Sequence, residues 1–155
     1  MAKANLLFLI KPYAIIIPLE VKKEVVDKGI EQGYSDSIII ENEIKKGCIN
    51  VINIKIEPQF DKIAQIAGLH RAEIAVIYYA YKNNHTALLD EDAARDFALG
   101  LGIKIKSSLG LLIDGLKNRI ISPDEAKKGL NALSQIMYLS SDIYRVILEK
   151  IEKFL

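Results

Sequence analysis

Ala14-Ile15-Ile16-Ile17-Pro18, followed directly by Leu19-Glu20-Val21-Lys22-Lys23-Glu24-Val25-Val26-Asp27-Lys28-Gly29, is the stretch that decides the fold. A continuous β-branched run suits a strand buried on both faces, because its stiff side chains fit the pleat and neither face needs polar residues. Val21, Val25 and Val26 are then spaced for one buried face of a helix from Leu19 to Lys28, and Gly29 predicts its end. A strand that feeds straight into a helix starts an α/β pattern, and the pattern continues outward. A helix is expected from Asp36 to Lys46, closed by Gly47, then a second strand over Ile49-Asn50-Val51-Ile52-Asn53-Ile54-Lys55-Ile56. A helix over Arg71 to Lys82, a strand Thr86-Ala87-Leu88-Leu89, a helix after Asp90 to Leu101 ended by Gly102, and a brief strand Ile103-Lys104-Ile105-Lys106 follow. Ser107 to Arg119 reads as a helix with Ser108 as cap. Two more helices open at Ser122-Pro123-Asp124-Glu125, with cap, first-turn proline and capping-box glutamate in register, and at Ser140-Ser141-Asp142. Upstream, Ala2 to Lys11 is a short apolar segment broken by Pro12. Strands alternating with helices argue for an α/β domain with a largely parallel sheet and helices on both faces, in which ligands sit beyond the carboxyl ends of the strands.

Length and composition bound the function. The 155 residues suit one compact domain, burying roughly 70% of the unfolded surface. With 21 Lys and Arg against 20 Asp and Glu the net charge is +1, so no global field favours nucleic acid or membrane and any such contact must be local. The single Cys48 cannot form an intramolecular disulfide and is expected in or near the core. No segment reads as a signal peptide or reaches the roughly 18 apolar residues of a membrane span, so a reducing cytoplasm is the expected location. Ile occurs 26 times beside many Lys and Glu, with no Trp, a bias shared by thermophile proteins and by chains from skewed genomes.

Three segments place acids where chemistry could be done. Asp90 falls at the carboxyl end of a strand with Glu91 and Asp92 opening the next helix, Glu73 opens the helix at Arg71, and Glu24 lies beside the apolar stripe of the first helix. Each has a structural reading too. Asp90 can be a cap and Glu91 and Asp92 first-turn acids, together contributing about 0.5–2 kcal/mol, Glu73 an ordinary first-turn acid and Glu24 a solvated one. Sharing one cleft, these carboxylates would select a hard divalent cation such as Mg²⁺ or Mn²⁺, because such ions take oxygen ligands and keep water and substrate phosphate in the shell. His70 and His85 lack partners at zinc spacing, and no phosphate-cradling glycine loop occurs, which leaves a small-ligand α/β domain without a motif. Tyr78, Tyr79 and Tyr81 read as packing or as a base-stacking surface, and the Lys and Arg from Lys104 to Lys128 as a groove lining or a solvated face.

The stretch Gly68-Leu69-His70-Arg71-Ala72-Glu73-Ile74-Ala75-Val76-Ile77, then Ala87-Leu88-Leu89-Asp90-Glu91-Asp92-Ala93-Ala94-Arg95, then Ser107-Ser108-Leu109-Gly110-Leu111-Leu112, resembles PIN-domain proteins of the prokaryotic branch related to VapC toxins. Ile16-Ile17-Pro18-Leu19-Glu20-Val21-Lys22-Lys23-Glu24-Val25 is similar to that family's second strand and following helix. The resemblance implies a Rossmann-like PIN fold and a metal-dependent single-stranded RNA endonuclease using Mg²⁺ or Mn²⁺, as the toxin of a toxin-antitoxin pair with an antitoxin protein as partner. It implies Glu24, Glu73, Asp90 and Asp92 as metal-site carboxylates and Ser108 as the Ser/Thr beside them. The departures are specific. The family pattern begins with a central strand ending in Asp, whereas no Asp precedes Asp27, and Ala72 and Ser107 stand where glycines are usual. Residues 1–155 are therefore expected to be a single PIN-like domain shortened at its start, and a catalytically inactive binding or regulatory protein is the alternative. A sheet short of one strand would also expose apolar surface and unpaired backbone, so a homo-oligomer is expected.

Overall fold

The computed structural model describes residues 1–155, which divide into two compact units: Ala14–Lys106, and Met1–Tyr13 together with Ser107–Leu155. In the first unit the isoleucine run forms β1 (Ile15–Pro18), which pairs in parallel with β2 (Ile49–Ile52) in the register Ile15 to Ile49 and Pro18 to Ile52. A second parallel pair joins β3 (Ala87–Leu88) to β4 (Ile105–Lys106). Every pairing is parallel, as the alternation of strands and helices requires, and the strands form two two-stranded sheets instead of one continuous sheet.

Pro18 ends β1 and serves as the N-cap of α1 (Leu19–Lys22), which runs through a π turn (Lys23–Asp27) into α2 (Lys28–Glu31). The π turn brings residues five apart onto one face, and Lys22 Nζ meets Asp27 Oδ1 at 2.7 Å. The expected stop at Gly29 is not there. Gly29 is buried inside the helix because a side chain would collide with Ser37 of α3 (Ser35–Lys45), and the chain turns at Gly33, with φ +77°. Here the glycine provides close approach of two helices, and the left-handed turn comes four residues later.

β2 stops at Ile52, and Ile54 and Ile56 leave the ladder to pack in the core. The helix α4 (Pro58–Ile66), which the sequence reading passed over, follows with its proline in the first turn. Next comes α5 (Arg71–Asn83), packed against α1, α4, β1 and β3, and then α6 (Asp92–Gly100). Ile74, Ile77, Leu89, Ala94 and Ile103 are buried in this unit's core, and Phe60 meets Tyr78 edge to face at 5.0 Å and Phe97 at 6.0 Å. Tyr78 and Phe60 thus support the packing reading of that tyrosine. Cys48 is exposed, against expectation, because it follows the left-handed turn at Gly47 that ends α3.

The second unit is helical. Two short 3₁₀ turns, Ala2–Ala4 and Leu7–Ile10, bury Leu9 and Ile10. Leu6 and Leu9 join Leu112 and Leu116 of α7 (Ser108–Lys117), Leu130 and Leu133 of α8 (Pro123–Ile136) and Ile151 of α9 (Ser141–Glu152) in one core. Ser107, not Ser108, caps α7, its hydroxyl accepting the Gly110 N–H at 3.1 Å. The capping box at Ser122 is as expected: Glu125 N–H donates to Ser122 Oγ, and Ser122 N–H donates to Glu125 Oε2 at 2.7 Å.

Candidate functional site

Four of the five candidate residues lie in the Ala14–Lys106 unit. Glu24 is carried by the π turn and is exposed. Glu73 is half-buried in the first turn of α5, where its Oε2 accepts the His70 N–H at 2.8 Å. That bond gives Glu73 the helix-capping role that its position alone allowed. Asp90 is exposed, two residues beyond β3, and Asp92 is the exposed first residue of α6. The N-cap of α6 is Glu91, not Asp90, and no side chain caps it. Ser108 belongs to the other unit, where it is buried at the start of α7 with 2% of its surface exposed.

The elements nevertheless order these acids. Asp90 follows the carboxyl end of β3, Glu24 lies on the helical segment that leaves β1, and α5, headed by Glu73, packs against both strands. The donor chemistry, oxygen only, suits a hard divalent cation. The arrangement does not: no three His, Cys, Asp or Glu side chains gather closely enough to hold a metal ion. As they stand, these residues do not make a metal centre.

One acid was missed by the sequence reading. Glu20, two residues past the end of β1, has Oε2 buried with no hydrogen-bond partner. A buried, unsatisfied acceptor costs about 1–3 kcal/mol, and its signal was visible as an acid two residues after Pro18, in a helix first turn. Elsewhere on this unit the charge is ordinary. Hydrogen bonding to Lys82 Nζ at 2.7 Å, and secondarily to Tyr78, holds the exposed Glu57 carboxyl below its usual range.

Short parallel strands alternating with helices define a mixed α/β domain of Rossmann-like type. The chain belongs to the PIN-domain family, whose model matches residues 1–153 and so spans both units. No curated protein and no solved structure matches it. No helix is long and apolar enough to cross a membrane.

Proposed function

We propose that residues 1–155 form one PIN-like domain acting as a metal-dependent endonuclease on single-stranded RNA, with Mg²⁺ or Mn²⁺ as the ion and Glu24, Glu73, Asp90 and Asp92 as its acids. The observation that carries this reading is the family match over residues 1–153, supported by the placement of Asp90 beyond β3 and of Glu73 on the helix that touches both β1 and β3. Ser108, buried at the start of α7, serves in this reading as the hydroxyl of the family pattern. A toxin role with an antitoxin partner belongs to the same proposal. The absence of a gathered three-donor set favours a second reading, a PIN-like binding or regulatory protein without catalysis.

Cleavage of a labelled single-stranded RNA by the purified chain decides between them. Activity should depend on Mn²⁺ or Mg²⁺ and fall at least about tenfold in Asp90→Asn, which keeps the shape but removes a ligand charge. In parallel, Mn²⁺ should raise the melting temperature, because an ion bound only by the folded state stabilises it. Cleavage that survives EDTA refutes the catalytic reading. RNA binding with neither cleavage nor a Mn²⁺ shift supports the second.

A further inference from the structure

The last helix has a second face that the fold leaves bare. Tyr144, Ile147, Leu148 and Ile151 of α9, which packs on α7 and α8, join the core of the helical unit, with Ile151 fully buried. At about 100° per residue, Ile143, Val146 and Lys150 fall together on another side, where the two apolar side chains are 49% and 46% exposed. Apolar side chains are also exposed just outside both ends of the helix: Tyr138 before it is 92% exposed and Phe154 after it 45%. Exposed apolar side chains grouped within a charged rim mark an association surface. The charges on this face run in one order. Asp142 lies in the first turn, Lys150 in the last turn and Lys153 at the C-cap, with the exposed Glu149 at the border. Glu152, on another side of the helix, is taken by Lys127 at 3.4 Å. Asp142 meets Arg145 at 3.5 Å with both side chains largely exposed, a contact that contributes little and is readily exchanged.

We infer that this face of α9 docks on the same face of a second copy of the chain, antiparallel and two-fold related, with Val146 at the axis and Asp142 against Lys150. The charge order selects that partner. Two parallel copies would set Asp142 on Asp142 and Lys150 on Lys150. Antiparallel copies bring each Asp142 opposite a Lys150, because the two stand four residues to either side of Val146, and the opposed helix dipoles attract. Tyr138 and Phe154 each stand eight residues from Val146, so the exposed aromatic ends of the two copies are brought to the same places. A lipid surface or a nucleic acid would ask for one sign of charge along the face, and this face carries both. A closed two-fold pairing also uses the face once in each copy and leaves none bare. The association that a sheet short of a strand led the sequence reading to expect is thereby assigned to a helix of the other unit, and it does not depend on what the acids of the Ala14–Lys106 unit do.

Sedimentation equilibrium of the full chain tests this. From about 1 to about 300 µM the chain should pass reversibly from monomer to dimer, since one face of a short helix gives weak association. Asp142→Lys sets like charge against Lys150 and should weaken dimerisation by at least about tenfold, and Lys150→Glu, facing Asp142, should do the same. An equimolar mixture of these two variants should dimerise again, because each junction then joins opposite signs. That rescue belongs to the antiparallel register and cannot come from a folding defect in either variant. Val146→Asp, at an exposed position, should abolish the dimer and leave the melting temperature of the dilute monomer unchanged. Four results overturn the inference: a parent that stays monomeric throughout, a dimer untouched by Val146→Asp, a charge variant that dimerises as well as the parent, or two charge variants that remain monomeric when mixed.

Discussion

Replacing Gly29 by Ala should destabilise the Ala14–Lys106 unit, although alanine is the better helix former. A Cβ on Gly29 would collide with the Ser37 hydroxyl and lie 2.8 Å from Ser37 Cβ. Ser37 is only 2% exposed and cannot swing into solvent. Its hydroxyl also donates to the Val25 carbonyl at 2.8 Å, within the π turn. Overpacking of this kind costs about 1–3 kcal/mol, and displacing the hydroxyl from a buried acceptor about 1–3 kcal/mol more. The gain in helix propensity offsets about 1 kcal/mol. The net loss is about 1–5 kcal/mol, which at a urea m value of roughly 1–3 kcal/mol per molar moves the unfolding midpoint down by about 1.5 M at the middle of both ranges. A double-mutant cycle with Ser37→Gly separates packing from hydrogen bonding. Ser37→Gly alone should cost stability through the Val25 bond, yet in the Gly29→Ala background it should restore part of the loss, giving a coupling of about 1 kcal/mol or more. A midpoint at or above that of the parent for Gly29→Ala, or a coupling within about 0.5 kcal/mol of zero, would refute the close-approach account of this glycine.

In the helical unit, Gly115→Ala would place a Cβ 2.6 Å from Leu9 Cδ2 and 3.6 Å from Ile121. The expected cost is about 1–3 kcal/mol by thermal or urea unfolding, partly relieved by Leu9→Val, which removes the offending methyl. Ser122→Ala should cost about 1 kcal/mol through loss of the cap of α8. It should also flatten the acid limb of the stability curve. The Ser122 N–H and hydroxyl hold the Glu125 carboxyl below its ordinary 4.5, so the stabilisation is full above that value and is lost as pH falls from it through the folded value. Urea titrations from pH 7 to pH 3 on parent and variant check the sign, and a steeper acid limb in the variant would contradict it.

What the sequence made legible was local. The isoleucine run, the turns at Gly47 and Gly102 and the capping box at Ser122 each express themselves within a few residues, and the structure has them where the pattern puts them. The errors came where one residue type serves two physical ends. Gly29 resembled a helix stop because glycine usually buys a left-handed turn, whereas here it makes room for Ser37. The apolar alternation through Ile54 and Ile56 resembled a longer strand, which hid the proline-opened α4 behind it. Ser107 and Ser108 are equally good caps by type, and only the phase of the helix chooses between them. The candidate acids were named through the family resemblance. Its convergence was not, because whether Glu24, Glu73 and Asp90 meet depends on how strands far apart in sequence are ordered, and no local spacing encodes that order.

The π turn at Lys23–Asp27 carries a consequence for descent. It holds one residue more than an α-helical turn, so a single-residue deletion there would let Leu19 to Glu31 run as an unbroken α-helix. That deletion would rotate everything before it by about 100° relative to everything after it and shorten the Lys22 to Asp27 spacing that the ion pair uses. In a relative without the turn, counting forward from Pro18 and counting back from Gly29 would assign different residues to the place of Glu24. The one-residue gap in any alignment with such a relative belongs inside Lys23–Asp27, and which carboxylate inherits the position depends on which side of Glu24 it falls.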